Sequence, residues 1–329
     1  SAGFIGYYTS RRLLADGFRV VGVDSLSDYY DPNLKRRRQA ELLQNAGFSA
    51  TNEPIETPGL LADLFAEHRP DVVVHLAAQA GVRYSIDNPR SYLESNLVGT
   101  FELLEAARAH PPQHMLLAST SSAYGANTEM PYRETMKTDH QMSFYAATKK
   151  ASEAMAHSYA HLFRIPLTGL RFFTVYGPWA RPDMALYKFT SAILEGRPVD
   201  IYNHGEMVRD FTYIDDIVEG IVRIADKPAA PGEGWDADTP DPATSTAPYR
   251  IFNIGNSEPV QLLRYVDAIE AACGVEAIRN YMPMQTGDVP ATWADASLLK
   301  RLTGYSPQTP FREGVARFVQ RLVVVAAGE

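Results

Sequence analysis

Continuous apolar runs, rather than strict alternation, stand out along the first half of the chain. Arg19–Asp24, Asp71–Leu76, His114–Ser119 and Pro166–Phe172 each read as a strand covered on both faces. Between them the spacing predicts helices at about Ile5–Asp16, Pro32–Asn45, Pro58–His68, Pro89–His110 and Phe144–Phe163. Several open on proline, whose fixed φ and missing N–H suit a first helical turn. Strand and helix in repeated alternation imply an α/β chain with a doubly wound parallel sheet.

After about Phe173 the pattern turns irregular. A helix is expected near Ala185–Glu195, short strands around Val199–Tyr202 and Arg209–Phe211, and a helix at Asp215–Asp226. The Pro/Ala/Gly/Asp-rich stretch Pro228–Pro248 reads as an exposed loop. Ile251–Ile254 resumes as a strand, and helices follow near Val260–Cys273, Ala296–Leu302 and Phe311–Val325. No internal repeat is visible. The expected division is a sheet domain over 1–173 with returning segments at about 206–227 and 250–256, a smaller α/β lobe over 174–205 and 257–329, and the loop 228–248.

Composition narrows the class. With 329 residues, 45% of them hydrophobic and 21% charged, the chain fits a soluble globular protein with a sizeable core. Its net charge is −8, and basic residues are scattered apart from Lys35–Arg38, so no nucleic-acid partner is expected. That basic run reads as a solvated helix face. The one cysteine, Cys273, rules out an internal disulfide framework and suits a reducing cytoplasm. No metal site is expected. No apolar run approaches the ~20 residues of a membrane span, so no membrane partner is expected either. Ser1 begins inside a motif, and a chain truly starting there would lack the central strand; about ten further N-terminal residues are expected on the natural polypeptide.

Two constellations carry chemistry. Gly3-Phe4-Ile5-Gly6 opens a helix, and Asp24 ends the next strand 18 residues after Gly6. Such glycines let a backbone approach a pyrophosphate at a helix N-terminus, and the acid accepts from an adenosine ribose. An acid there opposes a 2′-phosphate, so NAD is favoured over NADP in a Rossmann-type sheet. Tyr145 and Lys149 form the chain's only Tyr-x-x-x-Lys, on one face of a helix. A free tyrosine titrates near pH 10, and bringing it to pH 7 takes about 4 kcal/mol. The lysine ammonium one turn away would supply part of that.

Five segments carry a family resemblance. Ser1-Ala-Gly-Phe-Ile-Gly6 resembles the tail of the Gly-x-x-Gly-x-x-Gly fingerprint of extended short-chain dehydrogenases, and Leu76–Tyr84, Asn96–Thr100, Ser119–Gly125 and Tyr145-x-x-x-Lys149 follow in that family's order. Arg171–Ala185 and Tyr202–Asp216 are similar, more narrowly, to UDP-glucuronate 4-epimerases. The resemblance implies that Gly3, Phe4, Ile5, Gly6, Asp24 and Ser25 hold NAD, with Leu76, Ala77, Ala78, Gln79, Asn96 and Ser119 along its path. Lys149 would also bond the nicotinamide ribose. For Asn96, a satisfied core amide and a direct role remain equally open.

The resemblance further implies a UDP-sugar substrate. Thr120, Ser121 and Ser122 would meet a sugar hydroxyl and a carboxylate, with Arg181 as a guanidinium fork for the same carboxylate. Thr174 and Arg209 would hold the diphosphate region, and Asp288 the uridine ribose. Arg83, Lys188, Tyr202 and Asn203 would line the pocket. The implied reaction is 4-epimerisation: Tyr145 takes and returns the O4 proton while C4 is oxidised and reduced again. Dehydratase and decarboxylase relatives carry acids where this chain has Ser121 and Ser122, which argues against both. UDP-glucose/UDP-galactose epimerisation is the nearest alternative, though such relatives usually have Asn in place of Thr174. The helices Pro89–His110 and Phe144–Phe163 resemble those that pair in the family's homodimers.

Overall fold

The computed structural model describes residues 1–285 and 287–326; Thr286 and the last three residues of the expected lobe, 327–329, lie outside that description. Helix α1 (Phe4–Ala15) leads into strand β1 (Val20–Val23), helix α2 (Pro32–Leu42) and β2 (Phe48–Thr51). Then come α3 (Leu60–His68), β3 (Val72–His75), the short α4 (Tyr84–Asp87) and α5 (Pro89–Tyr92), α6 (Gly99–Ala109), β4 (His114–Thr120), α7 (Phe144–Phe163) and β5 (Leu167–Phe172).

β3, β4, β5 and β9 (Tyr249–Ile254) form a parallel sheet in that order, and β1 and β2 a separate parallel pair. The buried runs of β4 and β5 are covered on both faces, as parallel strands require. α6 and α7 cover one face together with α3, and α1 packs against α9 (Ile214–Ala225) on the other. Between β1 and β3 lies an apolar slot of about 890 Å³, lined by Val20, Gly22, Val72, Val74, Leu103 and Ile221 among others. The backbone edges of β1 and β3 that face it pair with no other strand among the described residues.

A second sheet is built around β8 (Val208–Tyr213), which lies in the returning segment 206–227. It pairs with β6 (Thr174–Tyr176), with β10 (Pro259–Gln261) and with β12 (Ala291–Thr292), while β7 (Val199–Ile201) pairs in parallel with β11 (Arg279–Tyr281). Helices α8 (Ala185–Leu194), α10 (Leu262–Cys273) and α12 (Phe311–Ala326) pack beside it, and α11 (Ser297–Thr303) returns to α9 and β9. No helix among the described residues is long and apolar enough to cross a membrane.

Three local departures from the sequence pattern have physical causes. The helix expected over Pro89–His110 is interrupted, because Leu93–Val98 winds as a π turn. That wider turn re-aims Asn96 into the interior, a use π segments often serve. The helix expected from Val260 begins instead at Leu262, since Pro259–Gln261 is drawn into an antiparallel ladder with β8. The apolar pattern does not mark β2. Its Phe-Ser-Ala-Thr has no apolar run, and only pairing with β1 makes it a strand.

One buried ion pair joins the layers. Arg171 on β5 donates from Nε and Nη2 to both oxygens of Glu153 on α7, at 2.9 and 2.8 Å, and both side chains are almost wholly buried. Ser119 on β4 donates to Glu153 Oε1 at 2.6 Å, and the Arg171 guanidinium stacks over the Tyr124 ring. Burial pushes the Glu153 carboxyl up, but Arg171, Lys150 and Ser119 outweigh it and hold it at about 2. A depressed carboxyl contributes stability that is complete above its unfolded value and fades as the pH falls toward the folded one. Glu153→Gln should therefore cost about 3–5 kcal/mol at neutral pH, read from the urea midpoint, because it strands a buried guanidinium. The gap from the wild type should close as the pH is lowered from 4.5 toward 2. Glu153→Met paired with Arg171→Met should recover most of the loss.

Candidate active site

The cleft opens beyond the carboxyl ends of β3, β4 and β5, where a doubly wound sheet places ligands. At its start, Gly3 caps α1 with extended backbone and no side-chain cap, and the first turn holds no acid. The leading N–H groups are thus available to an anion. A Cβ built on Gly3 would meet nothing within 4 Å, whereas one on Gly6 would press the Ser1 backbone at 3.2 Å. Gly3 leaves the cradle open; Gly6 allows close packing beneath it. Phe4 itself points into the core and packs edge-on against Tyr8, so its backbone is what faces the cradle. Asp24 follows β1, its carboxylate accepting from the Ala2 and Leu26 N–H groups at 2.9 Å each, with Ser25 exposed beside it. An uncapped helix start, a glycine with open space and a carboxylate at the next strand end fit a dinucleotide.

The Leu76–Gln79 segment leaves β3 along the same wall. Asn96 grips it: Oδ1 accepts from Gln79 N at 2.8 Å, and Nδ2 donates to Gln79 O and to Thr148 Oγ1 at 3.1 and 3.0 Å. Of the two readings open for Asn96, this is a fully satisfied core amide that fastens the wall to α7. Ser119 likewise turns inward to Glu153 rather than into the cleft.

α7 starts cleanly because Ser143 caps it, its hydroxyl accepting from Ala146 N at 3.1 Å. Tyr145 and Lys149 then project from one face toward the end of β4. Lys149 is buried, and Nζ donates to Ala118 O at 2.7 Å. Burial lowers it to about 8, with the Glu153 carboxylate one turn on holding it up. For Tyr145, burial raises the phenol above its ordinary value, while a hydrogen bond with Thr120 and the charge of Arg181 pull it back. The sequence spacing assigns that pull to Lys149. In the structure Thr120 and Arg181 add to that pull, and the lysine ammonium is tied to the β4 backbone. Thr120 Oγ1 also accepts from Ser122 N at 3.1 Å, opening the short turn Ser121–Tyr124 with Ser121 and Ser122 partly exposed.

The far side of the cleft comes from the lobe. Thr174 begins β6 and is partly exposed. Arg181 lies beside Asp183, Nε to Oδ1 at 3.2 Å. Arg83, Tyr202 and Asp288, distant in sequence, meet: Arg83 donates to Asp288 Oδ2 at 3.2 Å and stacks over the Tyr202 ring. Asn203 turns through the left-handed region and donates to Glu206 O at 3.1 Å. Arg209 donates to Val289 O and Pro290 O at 2.8 and 3.2 Å, bracing the segment that carries Asp288. Lys188 is exposed on α8. Sequence spacing did not single out Glu153, Asp183 or Tyr29. Only Glu153 leaves a trace there, as the next i+4 position after Lys149.

The NAD dependent epimerase/dehydratase family model matches residues 1–255. A Rhizobium meliloti protein named "Probable UDP-glucuronate 4-epimerase" is 52% identical over 97% of this chain and 94% of its own length. UDP-glucuronate 4-epimerase 1 of Arabidopsis thaliana is 45% identical over 97% of this chain and 74% of its own. The crystal structure of UDP-glucuronic acid 4-epimerase from Bacillus cereus with UDP-glucuronic acid and NAD superposes with a TM-score of 0.88, at 32% identity, covering 98% of this chain and 97% of that one.

Lys149 is expected to titrate near pH 8 by NMR of side-chain-labelled lysine, well below an ordinary lysine. Glu153→Gln should move it lower still, because the carboxylate that favours the ammonium is gone. A Lys149 resonance titrating above pH 10 would overturn this assignment.

Proposed function

The chain belongs to the NAD dependent epimerase/dehydratase family, and we propose that it interconverts UDP-glucuronate and UDP-galacturonate by epimerisation at C4. The observation that carries this reading is the convergence of Tyr145, Thr120 and Arg181, with a serine at 121 and 122 where an eliminating or decarboxylating site would carry an acid. The close relatives named as UDP-glucuronate 4-epimerases support it.

When bound, NAD would supply reversible hydride transfer at C4. Gly3, Gly6 and the first turn of α1 would hold its pyrophosphate, Asp24 and Ser25 its adenosine ribose, and Lys149 its second ribose. Tyr145 accepts the O4 proton as the C4–H bond breaks, and the sugar becomes a 4-keto species. After that sugar turns its other face to the donor, Tyr145 returns the proton to O4. Thr120 hydrogen-bonds the phenol and shares in placing O4. No net redox occurs.

A 4-keto uronate is a β-keto acid prone to losing carbon dioxide. Thr120, Ser121, Thr174 and Arg181 would hold the carboxylate so that its carbon–carbon bond stays near the plane of the C4 carbonyl, out of overlap with the π orbitals that its loss requires. Hydrogen bonds to a charged group contribute about 1.5–3 kcal/mol each. Arg209 and Lys188 face the diphosphate and uridine, and the Arg83, Tyr202, Asn203 and Asp288 group closes on the nucleoside.

The sheet domain, 1–173 with 206–227 and 250–256, would carry the cofactor, and 174–205 with 257–329 the nucleotide sugar. A homodimer is supported by Leu93, Val98 and Phe101 and by Phe144 and Leu162, large apolar side chains exposed on the two helical stretches expected to pair. A cytoplasmic setting suits a chain whose one cysteine has no partner.

Incubation with UDP-glucuronate, followed by NMR of the sugar, should give UDP-galacturonate; UDP-xylose as the main product would overturn the assignment. Tyr145→Phe should keep NAD bound and lose at least ~10²-fold in turnover, the scale of a positioned acid–base group. Near-normal turnover would remove Tyr145 from the chemistry.

A further inference from the structure

Asp183 stands beside the arginine that faces the carboxylate, and the reaction as derived leaves it without a task. One hydrogen bond and an ion-pair contact join the two side chains along one edge of the guanidinium: Nη2 donates to Asp183 Oδ2 at 3.2 Å, while Nε and Oδ1, 3.2 Å apart, are close but not hydrogen-bonded. A guanidinium has a second edge, formed by its two Nη atoms, that matches another carboxylate. Nη1 makes no hydrogen bond among the described residues. Asp183 is held in turn from behind, because Tyr29 Oη donates to its Oδ2 at 3.1 Å.

Tyr29 belongs to the loop that follows Asp24, on the cofactor side of the cleft. Its ring packs on Tyr84, Tyr84 on Tyr92 and Tyr92 on Tyr145, with centroids 4.6, 6.2 and 6.0 Å apart. The loops carrying Tyr29 and Asp183 are clasped elsewhere too. Arg38 bonds both Tyr30 Oη and Trp179 O, and Tyr8 Oη donates to Pro178 O. Arg181 and Asp183 are only 24% and 27% exposed, so this is more than a solvated ion pair.

Building on the function proposed above, we propose that Asp183, itself anchored by Tyr29, is a specificity-determining positioning residue that fixes one edge of Arg181 and thereby presents the other to the sugar carboxylate. An arginine side chain free to rotate gives up much of its binding advantage to rotamer entropy when it closes on an anion. One already immobilised does not. The substrate carboxylate and Asp183 then sit on adjacent edges of one cation, whose charge offsets the repulsion between them. A neutral hexose gains nothing from this arrangement, so the clasp acts on the choice between UDP-glucuronate and UDP-glucose.

The test measures dissociation constants for both nucleotide sugars by calorimetry on the NAD-loaded protein carrying Tyr145→Phe, so that turnover does not mix the sugars. Asp183→Asn should reduce the preference for UDP-glucuronate about tenfold, and UDP-glucose binding should stay within about twofold. Tyr29→Phe should reduce the preference in the same direction by a smaller factor. In an Arg181→Lys background, Asp183→Asn should change the preference no further, since it acts through the guanidinium. An unchanged preference in Asp183→Asn, an equal loss for both sugars, or full additivity with Arg181→Lys would each overturn the inference. A protein without Asp183→Asn that shows no preference would sink the proposed function and this inference together. A preference that survives Asp183→Asn sinks this inference alone.

Discussion

Everything at the cleft depends on how α7 is held against the sheet. Tyr145 and Lys149 can reach the ends of β4 only if the helix neither slides nor rotates, and a helix packed by alanines alone would resist that poorly. The Glu153 carboxylate, fully desolvated, fixes both coordinates at once. It takes the two-pronged guanidinium of Arg171 from β5 and the hydroxyl of Ser119 from β4. The fork geometry tolerates little displacement. Because the pair is buried, moving it apart would expose an uncompensated charge to a low dielectric. The same carboxylate sits one turn beyond Lys149 and favours its ammonium form, so the anchor of the helix also bears on the charge of the site.

The cleft is assembled from layers of constraint rather than from one motif. Asn96, re-aimed by the π turn, sews the Leu76–Gln79 wall to Thr148 on the helix just described. Arg209 braces the carbonyls of Val289 and Pro290, and so sets where Asp288 meets Arg83. Tyr29 and Asp183 span the cleft from the cofactor side to Arg181. In each case a polar side chain commits hydrogen bonds to backbone or to another side chain. Around the proposed sugar, the groups left to act are Tyr145, Thr120, Ser121, Ser122, Thr174 and the open edge of Arg181. Such sparseness favours selectivity, since each remaining donor has one direction to point.

Much of this was legible beforehand. The strands His114–Ser119 and Pro166–Phe172 announce themselves as uninterrupted apolar runs, and α7 begins and ends where Ser143 and the apolar spacing put it. Tyr145 and Lys149 fall on one helical face by arithmetic. Ser119 and Asn96 are instructive in the other direction. Both lie in segments that mark the site, yet the folded chain uses them as fasteners facing inward. No spacing rule separates a hydroxyl that faces a ligand from one that faces Glu153, because both follow the same strand.

The sequence by itself determined the periodicities, and with them the parallel sheet, the helix that carries Tyr145 and Lys149, and the glycines and acid of a dinucleotide cradle. Those features follow from local rules: which side chains alternate, which residues cap, which spacing repeats a face. Tertiary structure alone decided the partners. Phe48–Thr51 is a strand only because β1 offers it a ladder, and Pro259–Gln261 is drawn from a helix by β8. Thr120 and Arg181 also reach Tyr145 and pull its phenol back toward the ordinary value. Hydrogen bonds and charges act over a few ångströms of space, and residues 25 or 36 positions from Tyr145 become its neighbours only once the sheet and the lobe have closed.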